Sequence, residues 1–426
     1  MPAHERRKAP PIHRIMPAPL PEVRQMTLRN GIEVYAVPHP SQQALKVDWI
    51  FRAGRPHEEK RLASRASARL LREGTLQHRG AELADLFDFY GSSVQTPASL
   101  DNASIVLYGL GKYARDILPL FAELIQHPVF PEEELGIFKE NNIQELLVDL
   151  EKVEIVAYRE LTEALFGAGH PYGYNSTPEM YRALKRDDLL QHHARWHTPS
   201  RSAVILSGGV SDQVLQLMES LFGDAPEKVS DTPNAALPPP PLQPVHRSLR
   251  HPGSLQTAIK IGRRLFSRHH PDYNAMMILN TVLGGYFGSR LSMNVREKLG
   301  YTYNIYSSID AMVYDGFLYI DTEVDHKNAA AAQREIFGEM RRLQDELISE
   351  AELDMVRNYL LGMLLNGLDG PLNASILLRS YVVDQLPLEA YEELTDTVRH
   401  VTPATLRDMA QRYLNAEAFS VVTVGP

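Results

Sequence analysis

Two stretches of the chain repeat one pattern of apolar and polar positions. "LLQHHARWHTPSRSAVILSGG" (189–209) and "TLRDMAQRYLNAEAFSVVTVG" (405–425) each read as an amphipathic helix, a short turn and a β-branched apolar strand. Aligning Trp196 with Tyr413 puts Gly208 on Gly425 without a gap. A repeat of this length points to two similar halves, each closing on the same helix–turn–strand unit.

Earlier segments follow the same order in both halves. Short apolar runs at 47–53 ("VDWIFRA") and 258–262 ("AIKIG") predict strands. Helical periodicity follows at 62–72 and 274–283, then at 81–90 and 289–298. Alternating strands come next, "SIVLYGL" in one half and "GFLYIDTEV" in the other. Long helices succeed them, at 113–126 with 132–150 and at 327–349 with 350–368. Runs of strands and helices, without strict βαβ alternation, predict an α+β class with helices packed on a largely antiparallel sheet.

The clearest break in composition is at 224–248, which holds four consecutive prolines and reads as a stiff, extended connection. The expected organisation is an N-terminal domain at 1–223, this linker, and a C-terminal domain at 249–426. At 426 residues the chain is too long for one ordinary core, which agrees with that division.

Composition narrows the function. Apolar residues at 44% and charged residues at 23% are globular values. A net charge of −9 with interspersed signs argues against nucleic acid as the main partner. With no cysteine there are no disulfides, thiolate metal sites or cysteine nucleophiles. The basic, proline-rich start has no apolar core of signal-peptide length, and no run approaches a membrane span. The expectation is a cytoplasmic protein without a membrane partner.

One corner carries candidate chemistry. "VREKLGYTYNIYS" (295–307) reads as the end of a charged helix, a Leu-Gly turn and an aromatic strand. Arg296 and Tyr303 stand seven apart across that turn, a guanidinium and a phenol able to reach one point. Spacing alone leaves two readings open: a salt-bridged helix-terminal Arg beside a half-buried strand Tyr, or half of a polar site. His193 and His197 lie four apart and have the spacing of a metal pair. With no acidic ligand nearby, they read as a rim pair whose imidazolium suits the helix end. His269 and His270 read as part of a helix-entry loop.

A tandem α+β repeat with "LGGYFGSRLSMNVREKLGYTYNIYS" (283–307) in its second half resembles the M16, or pitrilysin- and insulinase-like, metallopeptidases. "RQMTLRNGIEVYAVPHP" (24–40) and "HPYGYNSTPEMYRAL" (170–184) are similar to family segments too, so the likeness spans most of the chain. In that family an H-x-x-E-H helix binds zinc through two histidines and uses the glutamate as general base. The motif precedes a Gly-Thr pair, here Gly74-Thr75 after "RASARLLREGT". The family's His, Glu and His positions therefore hold Arg65, Ala68 and Arg69, and Glu145 falls near the distal ligand. No other stretch contains H-x-x-E-H or H-E-x-x-H.

The resemblance implies that Arg296 and Tyr303 contact substrate and stabilise the developing oxyanion opposite a zinc site. It implies a non-catalytic subunit without cofactor, paired with a zinc-bearing M16 partner and acting on peptides or unfolded polypeptides, with no peptidase activity alone. A structural or assembly subunit, or a peptide-binding homodimer, are the alternatives. One arginine, Arg65 or Arg69, is expected to pair with Glu145; the alternative is that both point into a water-filled chamber.

Overall fold

The computed structural model describes residues 15–224, 237 and 243–426. Residues 1–14 of the basic N-terminal stretch and most of the proline-rich connection lie outside these. The far end of the expected connection is not linker: strand begins at His246.

Eleven strands are described: β1 (Arg24–Thr27), β2 (Glu33–Pro38), β3 (Ala44–Phe51), β4 (Ser93–Gln95), β5 (Ala103–Leu110), β6 (Ser202–Gly208), β7 (His246–Arg250), β8 (Gln256–Leu265), β9 (Ile305–Ala311), β10 (Gly316–Asp325) and β11 (Ser420–Gly425). They form a six-stranded sheet in the order β1-β2-β6-β3-β5-β4 and a five-stranded sheet in the order β7-β11-β8-β10-β9. Each sheet is antiparallel except for one parallel pair, β2 with β6 and β7 with β11. The repeat seen in the sequence thus returns as matching topology. Gly208 and Gly425 end equivalent strands, and a Cβ at Gly208, where φ is +87°, would strike the Ala44 carbonyl.

The first half carries helices α1 (Ala63–Arg69), α2 (Gly80–Phe89), α3 (Ala114–Gln126), α4 (Glu132–Asp149), α5 (Val153–Phe166), α6 (Pro178–Ala183), α7 (Arg186–Trp196) and α8 (Asp212–Phe222). The second carries α9 (Tyr273–Asn280), α10 (Ala329–Asp345), α11 (Glu350–Gly367), α12 (Gly370–Val383), α13 (Ala390–His400) and α14 (Pro403–Tyr413). Period-2 alternation sends Leu45, Val47, Trp49 and Phe51 of β3 into the first core, beside Val204 and Leu206 of β6. Ile259, Ile261, Leu318 and Ile320 play that part in the second core.

The opposite face of each sheet is covered from the other half. Val153, Ala157, Leu161 and Leu165 of α5 pack on Phe317, Tyr319, Val422 and Val424 of the second sheet. Leu378 and Val382 of α12 pack on Val37, Ile50, Ala203 and Ile205 of the first. Two sequence expectations need correction. The helix at 289–298 is a π-helical segment, Ser292–Lys298, and a second π-helical turn, Thr281–Gly285, continues α9. The aromatic strand begins at Ile305, so Tyr303 belongs to the turn before it.

Candidate functional site

Helix α1 sits where the metal motif would lie, and its N-terminal end is tied down by side chains. The Glu58 carboxylate accepts from the Ser64 N–H at 3.1 Å and from the Ser64 hydroxyl at 2.5 Å, capping the first turn. The same carboxylate accepts from the Tyr174 hydroxyl at 2.7 Å. Arg55 lies 4.4 Å above the Tyr174 ring and donates to the Tyr174 carbonyl at 3.1 Å. The segment around "HPYGYNS" therefore acts as a brace for α1. Burial pushes Glu58 above the usual carboxylate range, against the pull of these hydrogen bonds.

The small side chains of Ala63, Ala66 and Ala68 are buried and let α1 approach its neighbours closely. Arg65 and Arg69, one turn apart, turn instead to a cleft of about 510 Å³. Helix α4 forms the facing wall with Ile137, Phe138, Asn141 and Glu145. The structure thus brings Arg65, Arg69 and Glu145 to one cleft, while Ala68 lies beneath its surface. Among the described residues, neither guanidinium comes within 4.0 Å of a carboxylate, so the pairing with Glu145 is not formed. Arg72 does pair, with Glu73 at 3.2 Å.

This donor set does not fit zinc. A guanidinium has no lone pair to give a metal, and alanine has no base. No group of three or more His, Asp or Glu side chains suited to a metal is present among the described residues.

Arg296 and Tyr303 are outside the lining of that cleft. The π-helical segment buries Val295 against the second core and leaves the Arg296 side chain largely covered, at 11% exposure. Its guanidinium stacks 3.4 Å above the Phe287 ring and pairs with Glu297 at 2.6 Å. Gly300, at φ +64°, reverses the chain after the helix. Thr302 then ties the turn by donating to the Glu323 carbonyl at 2.6 Å and receiving the Asn304 N–H at 3.1 Å. Tyr303 is 96% exposed, which excludes the half-buried strand position.

The histidine cluster also differs from expectation. His192 and His197 are buried rather than at a wet rim, and His192 shares a hydrogen bond with the Ala53 carbonyl at 3.0 Å. Burial lowers His192 to about 4 and holds His197 well below its ordinary value, so both are neutral imidazoles. His193 Nε2 lies 3.0 Å from the Ile125 carbonyl. His269 shares a 2.7 Å hydrogen bond with the Asp384 carbonyl, in the loop before α9.

Comparison with known proteins finds likenesses in both sequence and fold. The family described as "Peptidase M16 inactive domain" matches residues 183–360. An uncharacterized zinc protease, YmxG, of Bacillus subtilis is 24% identical over 82% of this chain and 85% of its own length. The non-peptidase homolog YmxG of Helicobacter pylori is 23% identical over 88% of this chain and 87% of its own. The crystal structure of a peptidase M16 inactive domain from Pseudomonas fluorescens superposes with a TM-score of 0.86 at 22% identity, covering 95% of this chain and 98% of that one. Residues 183–360 thus match an M16 family model, and the chain as a whole is similar to M16 proteins in sequence and fold. No helix among the described residues is long and apolar enough to cross a membrane.

Proposed function

We propose that the chain is the non-catalytic subunit of a two-subunit M16 peptidase. A zinc-bearing M16 partner supplies metal and base, and this chain supplies Arg296, Tyr303 and half of a chamber for peptides or unfolded segments. One contrast carries this reading: the metal-motif position holds Arg65, Ala68 and Arg69, while Tyr303 is 96% exposed. The exposed Tyr303 phenol is a donor available to an oxyanion on a second protein, and Arg296 joins it by exchanging its Glu297 contact for that oxygen. The cytoplasm, suggested by the sequence, is the setting of this reading.

Co-purification from the native source, followed by reconstitution with the M16 chain that accompanies it, tests the proposal. Peptide hydrolysis is expected only when both chains are present. A zinc-bearing chain equally active with and without this one would overturn it. A binding or assembly role without proteolysis is the second reading, favoured by the relative named a non-peptidase homolog. It predicts a stable complex that cleaves nothing.

A further inference from the structure

The cleft at the metal-motif position has a chemistry of its own. Elsewhere in the chain, arginines near carboxylates close onto them: Arg290 grips Glu352 with two hydrogen bonds of 2.8 and 2.9 Å. Arg65 and Arg69 do not, although Glu145 lines the same cleft. Each guanidinium offers five donors in a planar fork that matches a carboxylate. Their helix is held by buried alanines and by the Glu58 cap, so the two forks start from a rigid base. Around them, Gln95 and Asn141 present amides, and Ile137 and Phe138 present apolar surface. Two cationic forks on one helix, amides suited to a peptide backbone and an apolar wall form a complementary set.

We propose that Arg65 and Arg69 form a carboxylate-binding subsite that anchors a peptide in this cleft. The carboxylate is either the peptide's C-terminus or an Asp or Glu side chain. The inference rests on the reading that the chain handles peptides, but it does not depend on a zinc partner or on turnover. Glu134 and Glu145, which line the same cleft, work against the ligand because their carboxylates repel its own, whereas Glu73 is already paired with Arg72.

The test uses the full chain alone and fluorescence anisotropy with N-terminally labelled octapeptides. One peptide is neutral and C-terminally amidated, one has the same sequence with a free C-terminus, and one is amidated with a single internal Glu. At least one carboxylate peptide is expected to bind about tenfold tighter than the neutral one, as charge-assisted hydrogen bonds require. Whichever of the two gains affinity identifies the source of the carboxylate. The gain should shrink with added salt. It should vanish in Arg65→Gln/Arg69→Gln and fall in the single Arg69→Gln, whose exposed position makes misfolding no concern. Glu145→Gln should strengthen carboxylate binding about two- to fivefold. Equal affinity for acid and amide, a preference that survives the double variant, or no binding of any peptide up to millimolar concentration would each overturn the proposal. None of these results bears on the two-subunit reading, since no partner enters the assay.

Discussion

Arg379 on α12 sets its Nε 3.2 Å from the buried Asp48 carboxylate on β3, joining the second half of the chain to the first sheet. The same guanidinium donates to the Asn102 side-chain oxygen at 2.8 Å and to the Ser104 hydroxyl at 2.6 Å. Lys46 Nζ lies 3.8 Å from Asp48 and donates to Ser375 at 3.1 Å. Burial raises Asp48 and lowers Lys46, so desolvation outweighs their attraction in both groups. Arg379→Met is therefore expected to cost about 3–5 kcal/mol, because it strands a buried carboxylate. Adding Asp48→Asn should recover part of that loss. Denaturant unfolding of the three proteins measures it, and equal losses for the single and double variants would contradict the account.

Acid should weaken the fold before carboxylates titrate fully. Burial lowers His57 and His192 to about 4, whereas the unfolded chain protonates them near 6.5. Between these values the unfolded state binds more protons, so stability falls as pH drops from about 6.5 to about 4. For His192 the loss is on the order of 2–3 kcal/mol. Unfolding midpoints across this range in wild type and His192→Gln check it, and the variant should show a shallower decline.

Tyr303→Phe should leave stability within about 0.5 kcal/mol, as expected for a surface change away from packing. In the reconstituted two-chain peptidase, kcat should fall on the order of 10²–10³ if the phenol meets the oxyanion. Arg296→Lys should also lower kcat, since it keeps the charge but loses the planar fork and the stacking on Phe287. An unchanged kcat together with a lowered Tm in Tyr303→Phe would return that residue to a structural role.

Metal content gives a separate check. The wild-type chain is expected to bind no stoichiometric zinc in the α1–α4 cleft. Arg65→His/Ala68→Glu/Arg69→His rebuilds the family motif opposite Glu145, which lines the same cleft. About one zinc per chain is expected in this variant by elemental analysis, as three protein ligands require. Zinc in the wild type, or none in the variant, would show that the cleft is not the counterpart of the family's metal site.

Strands and repeat were legible because period-2 patterns and the Trp196–Tyr413 alignment depend only on local sequence. The cleft was legible only through a resemblance, since nothing in "RASAR" by itself implies a counterpart to Glu145 some eighty residues on. Whether an arginine closes onto a carboxylate depends on rotamers that spacing does not determine. The covering of each sheet by a helix from the opposite half was not legible either. Val153, Ala157, Leu161 and Leu165 announce a buried stripe but not its partner. Tyr303 was misplaced because aromatic residues beside a strand look like strand residues, while Thr302 keeps that segment in a turn.

The crossing of α5 and α12 gives the molecule the character of a clasp. Because each half covers a sheet of the other, neither would be a finished particle if produced separately. Each would bare an apolar sheet face and leave its own helix without a seat. A chain severed between the halves should still sediment as one body, and two separately made halves should become ordered only on mixing. If the chain works with a second subunit as proposed, opening and closing on a substrate is better served by movement against that subunit than by hinging within this one.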